Sequence, residues 1–145
     1  MINRTATTVH QYLVILWLAG LAVTVFLAGL GVFEVTTTSK LGDDNSTKLV
    51  SADDLDPHRI AGSLLVVGTL LVLIAAGWAR TSRRQLVMST AFFVLGIVQM
   101  LLAGLGTDNG AAFGGLHVLN AFLLTGLAVG LLVDDRRALG AAPVS

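Results

Sequence analysis

The stretch DPHRIAGSLLVVGTLLVLIAAGWA, Asp56–Ala79, decides how the rest of the chain is read. Asp56 followed by Pro57 suits the N-cap and first position of a helix, which puts His58 and Arg59 in its opening turn. Twenty residues without a charged side chain follow, Ile60 to Ala79. A helix needs about 20 mostly apolar residues to cross the hydrocarbon of a bilayer, so this segment is long enough to span.

Three more runs of this kind flank it: Tyr12 to Phe33, Leu86 to Gly106 and Ala111 to Val133, none with an internal Asp, Glu, Lys or Arg. With 54% hydrophobic and 12% charged residues in 145 positions, the chain falls outside the range of aqueous globular domains. The first run is longer than a secretory h-region and lacks an A-x-A pattern after it, so it is read as a retained span. The predicted spans are about 12–33, 58–79, 86–106 and 111–133, in one domain over 1–138, with 139–145 as a disordered tail.

Equal numbers of basic and acidic residues, nine each, conceal an asymmetry. Arg4, Arg80, Arg83, Arg84, Arg136 and Arg137 fall on one side of the four spans, opposed there by Asp134 and Asp135. Most acidic residues fall on the other side, in the connections after spans 1 and 3. The positive-inside rule then predicts a multi-pass protein of the cell membrane with both termini cytoplasmic. Six arginines spread over short segments serve topology, not nucleic-acid binding. The chain has no cysteine, so a disulfide, an iron–sulfur cluster, a thiolate-bound metal and covalent C-x-x-C-H haem are all excluded.

The connection RTSRR between spans 2 and 3 is short enough to force antiparallel neighbours, and TDNGAAFGG between spans 3 and 4 is also short. The connection from Glu34 to Asp56 is long and polar; it is read as a partly ordered lid, with SADD, Ser51 to Asp54, as a weak capping box. The sequence LAGLG occurs twice, at residues 27–31 and 102–106, displaced by 75 positions. A histidine follows each copy near the start of the next span, His58 and His117. The expected fold is therefore all-α, an integral membrane four-helix bundle made of two tandem helical hairpins with pseudo-twofold symmetry.

His58 and His117 fall toward the same face of the membrane. His10, at the opposite face beside Gln11 and Tyr12, is read as an interfacial residue. His117 lies six residues inside its run, about 9 Å deep at 1.5 Å per residue, and ionisable groups at such depth usually mark a site. Two imidazoles from alternate helices suit the axial positions of a haem iron, whereas zinc or copper would want further protein ligands. One turn inward from each histidine is a small residue, Gly62 or Ala121, that lets a flat macrocycle approach; Gly29 and Gly104 thin spans 1 and 3 nearby. Arg59 suits a haem propionate or snorkels to the interface. Asn120 is a candidate hydrogen-bond donor behind His117, Gln99 and Thr125 are buried polar candidates, and Met100 is either an alternative iron ligand or a packing residue. By hydropathy His58 sits about a turn shallower than His117.

At HRIAG the chain resembles one half of haem A synthase, a membrane enzyme of two tandem four-helix bundles. His58, Arg59 and Gly62 match its H-R-x-x-G pattern, and His117 with Ala121 matches the H-x-x-x-A look of its fourth helix. The resemblance implies a membrane-embedded protein holding one non-covalent haem b through His58 and His117, with Arg59, Gly62, Asn120, Ala121, Gly29 and Gly104 around it. Its implied roles are electron transfer, haem handling or haem modification, with a redox partner or respiratory complex. The family carries a glutamate three residues before the H-R pair; here Leu55 stands there, between Asp54 and Asp56, so a haem-modifying oxidoreductase is not specifically implied. The competing expectation is a cofactor-free accessory or assembly subunit whose glycine-rich helices pack on a partner. A solute transporter fits less well, because the spans lack charges and broken helices.

Overall fold

The computed structural model describes residues 3–40, 56–79, 82–109 and 111–141, and all of its regular structure is helical. Four helices follow in chain order: α1 Arg4–Lys40, α2 Asp56–Ala79, α3 Arg83–Asn109 and α4 Ala111–Ala141. Helices are what such apolar segments must form in lipid, where every backbone N–H and C=O has to find its partner within the segment. All four are long and apolar enough to cross a membrane. The outward surface agrees with that: Leu16, Leu64 and Phe122 are each at least two-thirds exposed, on three different helices.

Each helix extends past its apolar run. α1 begins eight residues before Tyr12, and α4 carries on through Asp134, Asp135, Arg136 and Arg137 to Ala141. Residues 139–141, expected in a disordered tail, are thus the last turn of α4, whose Leu139 carbonyl accepts a hydrogen bond from Arg4 Nη2 at 3.4 Å. Most of the long polar connection, including SADD, lies outside the described residues, so the expected lid does too.

α1 packs along α2 and α4, and α3 packs along the same two, so α1 faces α3 and α2 faces α4 across the bundle. Lipid tails are as apolar as the helices, so close approach and hydrogen bonds must hold them together. At Gly96 a Cβ would lie 2.8 Å from Thr69 Oγ1, which sets how closely α2 and α3 approach. At Gly106 it would lie 3.3 Å from the backbone nitrogen of Gly114, so α3 and α4 touch nearly main chain to main chain just before His117. The packed core comprises Val14, Trp17, Val72, Phe92, Leu124 and Leu131, with Ala128. Trp17 and Phe92 meet edge to face across the α1–α3 diagonal, ring centroids 4.7 Å apart.

Candidate functional site

α1 carries His10, Trp17 and Thr24 at heptad spacing, and α3 carries Gln85, Phe92 and Gln99 at the same spacing. Seven residues are two turns, about 10.5 Å, so each set forms one stripe down its helix. Each α3 position is its α1 counterpart displaced by 75, the offset that separates the two LAGLG copies. The two stripes meet level by level, and each level has its own chemistry.

At the arginine-bearing end, His10 and Asp135 are fully buried, and His10 Nδ1 lies 2.7 Å from Asp135 Oδ2. Gln85 Nε2 donates to the other carboxylate oxygen, and Ser89 Oγ lies 3.4 Å from His10 Nε2. The reading of His10 as an interfacial residue is therefore corrected. α4 runs on past its apolar stretch, and the extra turns carry Asp135 down beside the start of α1. Asp134, the neighbouring carboxylate, instead turns outward to the exposed Arg84, at 3.7 Å. A carboxylate with two partners, one on each oxygen, satisfies the rule that a buried charge must be hydrogen-bonded.

At the middle level, Trp17 Nε1 donates to the Leu65 carbonyl at 3.0 Å and its ring abuts Phe92. Trp17 forms the floor of a cavity of about 480 Å³ lined by all four helices, which opens to the outer surface of the bundle beside the exposed Val25 and Phe122. Most of the cavity wall is apolar, and His58, Gly62, His117 and Ala121 all line it. A smaller cavity of about 250 Å³ adjoins it between α2 and α3, sharing His58, Gly62 and His117 and adding Arg59, Met100 and Gly104. The two volumes fall within or near the range of small-molecule and cofactor sites.

The two histidines are held alike. His58 Nδ1 donates to the Thr24 carbonyl at 2.9 Å, and His117 Nδ1 donates to the Gln99 carbonyl at 3.1 Å. A carbonyl only accepts, so each Nδ1 carries a proton; the Gln99 N–H aimed at His117 Nε2 puts the lone pair there, and the same tautomer at His58 would leave Nε2 as the acceptor. Thr24 and Gln99 are equivalent under the 75-residue offset, so both rings are anchored at the same level of their stripes. The one-turn difference in depth inferred from hydropathy is not seen. α4 starts at Ala111, six residues before its histidine, whereas α2 starts at Asp56, two residues before its own.

Beyond those carbonyls the surroundings differ. Among the described residues His58 Nε2 has no hydrogen-bond partner. His117 Nε2 accepts from Gln99 Nε2 at 3.2 Å, and Gln99 Oε1 accepts from Asn120 Nδ2 at 2.7 Å. Asn120 also donates to the Leu95 carbonyl, at 2.9 Å, so its amide orients that of Gln99. Asn120 thus serves Gln99 and reaches His117 only through it. Gly29 lines neither cavity, and a Cβ there would meet nothing within 4 Å, so it neither narrows the site nor packs α1 tightly. Thr125, a wall residue, hydrogen-bonds back to the Ala121 carbonyl at 2.8 Å. Met100 is half exposed on the wall of the smaller cavity.

Sequence reading missed Asp135 as the partner of His10, Trp17 as the floor, and Gln99 as the residue touching His117. Carrying the 75-residue offset inward from LAGLG pairs His10 with Gln85, Trp17 with Phe92 and Thr24 with Gln99, and would have singled out all three levels. No family model, curated protein or solved structure matches the chain. The reading of function below stands on the chain's own residues.

Proposed function

We propose that the protein is a membrane-embedded haem b protein in which His58 and His117 are the axial ligands, similar to one half of haem A synthase, acting in electron transfer or haem handling. One observation carries this reading: two imidazoles from α2 and α4, facing helices, line one apolar cavity with Nδ1 tied to a carbonyl, His58 Nε2 without a hydrogen-bond partner among the described residues and His117 Nε2 met by the neutral Gln99 amide alone. Metal-ligating histidines are typically fixed in this way, by a carbonyl on the second ring nitrogen. A macrocycle that brings its own four nitrogens asks the protein for only two.

The wall fits a flat apolar group. At Gly62, one turn from His58, a Cβ would meet nothing within 4 Å, so the space beside the helix is open. Arg59, exposed at the rim of the smaller cavity, is suited to a propionate. Bound there, haem would supply a one-electron iron couple. The chain's own contribution is to orient two neutral imidazoles, exclude water with an apolar wall, and separate the cavity from the His10 end by the Trp17–Phe92 floor. The shared 75-residue offset supports two tandem hairpins related by a pseudo-twofold axis along the membrane normal. The arginine distribution supports an orientation in the cell membrane with both termini cytoplasmic and the site toward the outer face.

The experiment is an absorption spectrum of protein purified from haem-replete cells. A Soret band with sharp reduced-state bands is expected, and His58→Ala and His117→Ala should each abolish the sharp, six-coordinate bands. Protein that stays colourless after haem is added would refute the reading and leave the cofactor-free accessory subunit.

A further inference from the structure

The two histidines share an anchor but not a neighbour. Position 24 is threonine, whose hydroxyl turns back to the Gly20 carbonyl at 2.9 Å, so its side chain does not reach His58 Nε2. The equivalent position 99 is glutamine, whose side-chain N–H points at His117 Nε2, the nitrogen that would bind iron. Asn120 keeps that amide in place; counting from His58 as Asn120 counts from His117, the first hairpin has Ala61. The second hairpin therefore carries a two-residue device that the first lacks.

A lone pair cannot serve a hydrogen bond and an iron at once. Building on the haem reading above, we propose that His58 is the resident axial ligand and His117 an exchangeable one, with the Gln99 carboxamide competing with iron for His117 Nε2. A released His117 ring would rest on the Gln99 amide, so that state would keep a satisfied imidazole in place of a bare one. The apolar cavity beside His117 would then suit a diatomic ligand such as carbon monoxide or dioxygen. Gln99 is a positioning residue: it acts through His117, and Asn120 acts through Gln99.

The test compares wild-type haem-loaded protein with Gln99→Thr/Asn120→Ala, which gives the second hairpin the side chains found at the corresponding positions of the first. A neutral hydrogen bond contributes about 1 kcal/mol net, so losing it shifts the ratio of released to bound His117 about fivefold. The rate at which ferrous protein binds carbon monoxide, read by flash photolysis, is expected to fall by that factor, with the five-coordinate fraction of the resting spectrum. His117→Ala should retain haem as a five-coordinate species, whereas His58→Ala, left only with the capped ligand, should retain less. Thr24→Gln/Ala61→Asn, which places the same device beside His58, should raise the rate of carbon monoxide binding.

Equal haem retention by the two alanine variants, with a wild-type binding rate in Gln99→Thr/Asn120→Ala, would overturn the asymmetry while leaving bis-histidine haem binding intact. A wild-type protein that takes up no haem would overturn both. If the double variant proves unstable, Gln99→Leu alone removes the competing donor and must give the same slowing; an unchanged rate in it also overturns the inference.

Discussion

The two ends of the bundle use the same residue type to opposite effect. At the arginine-bearing end, His10 is enclosed by Asp135 and Ser89, while Gln85 holds the carboxylate from its other side. At the other end, His58 and His117 each take one backbone carbonyl, His117 also the Gln99 amide, and both border a cavity. The difference lies in the partner. A carboxylate draws a histidine into a closed, dry cluster, and the helices pack tightly around it. A carbonyl orients the ring without adding charge; at His58 it leaves Nε2 without a hydrogen-bond partner among the described residues, and at His117 a neutral amide from Gln99 stands there. Position in the membrane explains why both occur: α4 brings a carboxylate to one end, while the described residues bring none to the cavity.

The sharpest way to break this comparison is to remove each histidine in turn. His58→Ala and His117→Ala are expected to eliminate the six-coordinate haem spectrum, while their apoproteins lose only about 1–2 kcal/mol for the hydrogen bonds removed. His10→Ala should do the reverse, leaving the spectrum in place while the apparent unfolding free energy in detergent falls by about 3 kcal/mol, because Asp135 keeps a buried carboxylate with one partner gone. A His10→Ala protein that unfolds like wild type but loses its haem would mean the two ends are one functional unit.

Asp135 sharpens the same contrast from the other helix. Asp135→Leu removes the acceptor for both His10 and Gln85 and should cost as much as His10→Ala, whereas Asp135→Asn keeps an oxygen for Gln85 and should cost about 1 kcal/mol. Chemical denaturation of the two variants side by side would distinguish a hydrogen-bonded cluster from an apolar contact that merely contains polar atoms.

Much of the architecture was legible in the apolar runs: the four helices follow from length and the absence of charge. Their ends were not, because hydropathy stops at Val133 while the helix continues through Asp134, Asp135, Arg136 and Arg137, whose charges interrupt the apolar run without breaking a helix. Asp135 was counted among interfacial charges for that reason. The histidine pair was readable from the repeat, since two copies of LAGLG each precede one histidine. The contact of Gln99 with His117 was not, because it depends on how α3 is rotated against α4, and that is set by the Gly106–Gly114 approach and by Asn120. Gly29 and Gly104 looked alike in sequence, yet only Gly104 borders a cavity.

That last distinction gives a smaller, separate measurement. Gly62→Phe places a ring into open space beside His58, where overpacking by a bound group should cost about 1–3 kcal/mol, roughly a thirtyfold loss of haem affinity at the middle of that range. Gly29→Phe, on a helix surface bordering neither cavity, should bind haem as wild type does. Haem titration of the two apoproteins measures both, and equal losses would show that the cavity walls are not where the site lies.

The smallest effect is expected at the boundary between the ends. Trp17 faces the cavity and also packs edge to face on Phe92, so it belongs to both regions. Trp17→Phe keeps an aromatic ring for Phe92 but removes part of the buried indole, with the N–H that donates to the Leu65 carbonyl. The Leu65 carbonyl sits inside α2, where the helix supplies it a second donor, so the loss is one net hydrogen bond plus a small packing defect, about 1–2 kcal/mol together. Stability should fall by that amount with the haem spectrum unmoved. Should the spectrum shift while stability holds, the floor is part of the site. A shared change in both would mean that the closed end and the open end communicate through this ring, and that the cavity depends on the packing beneath it.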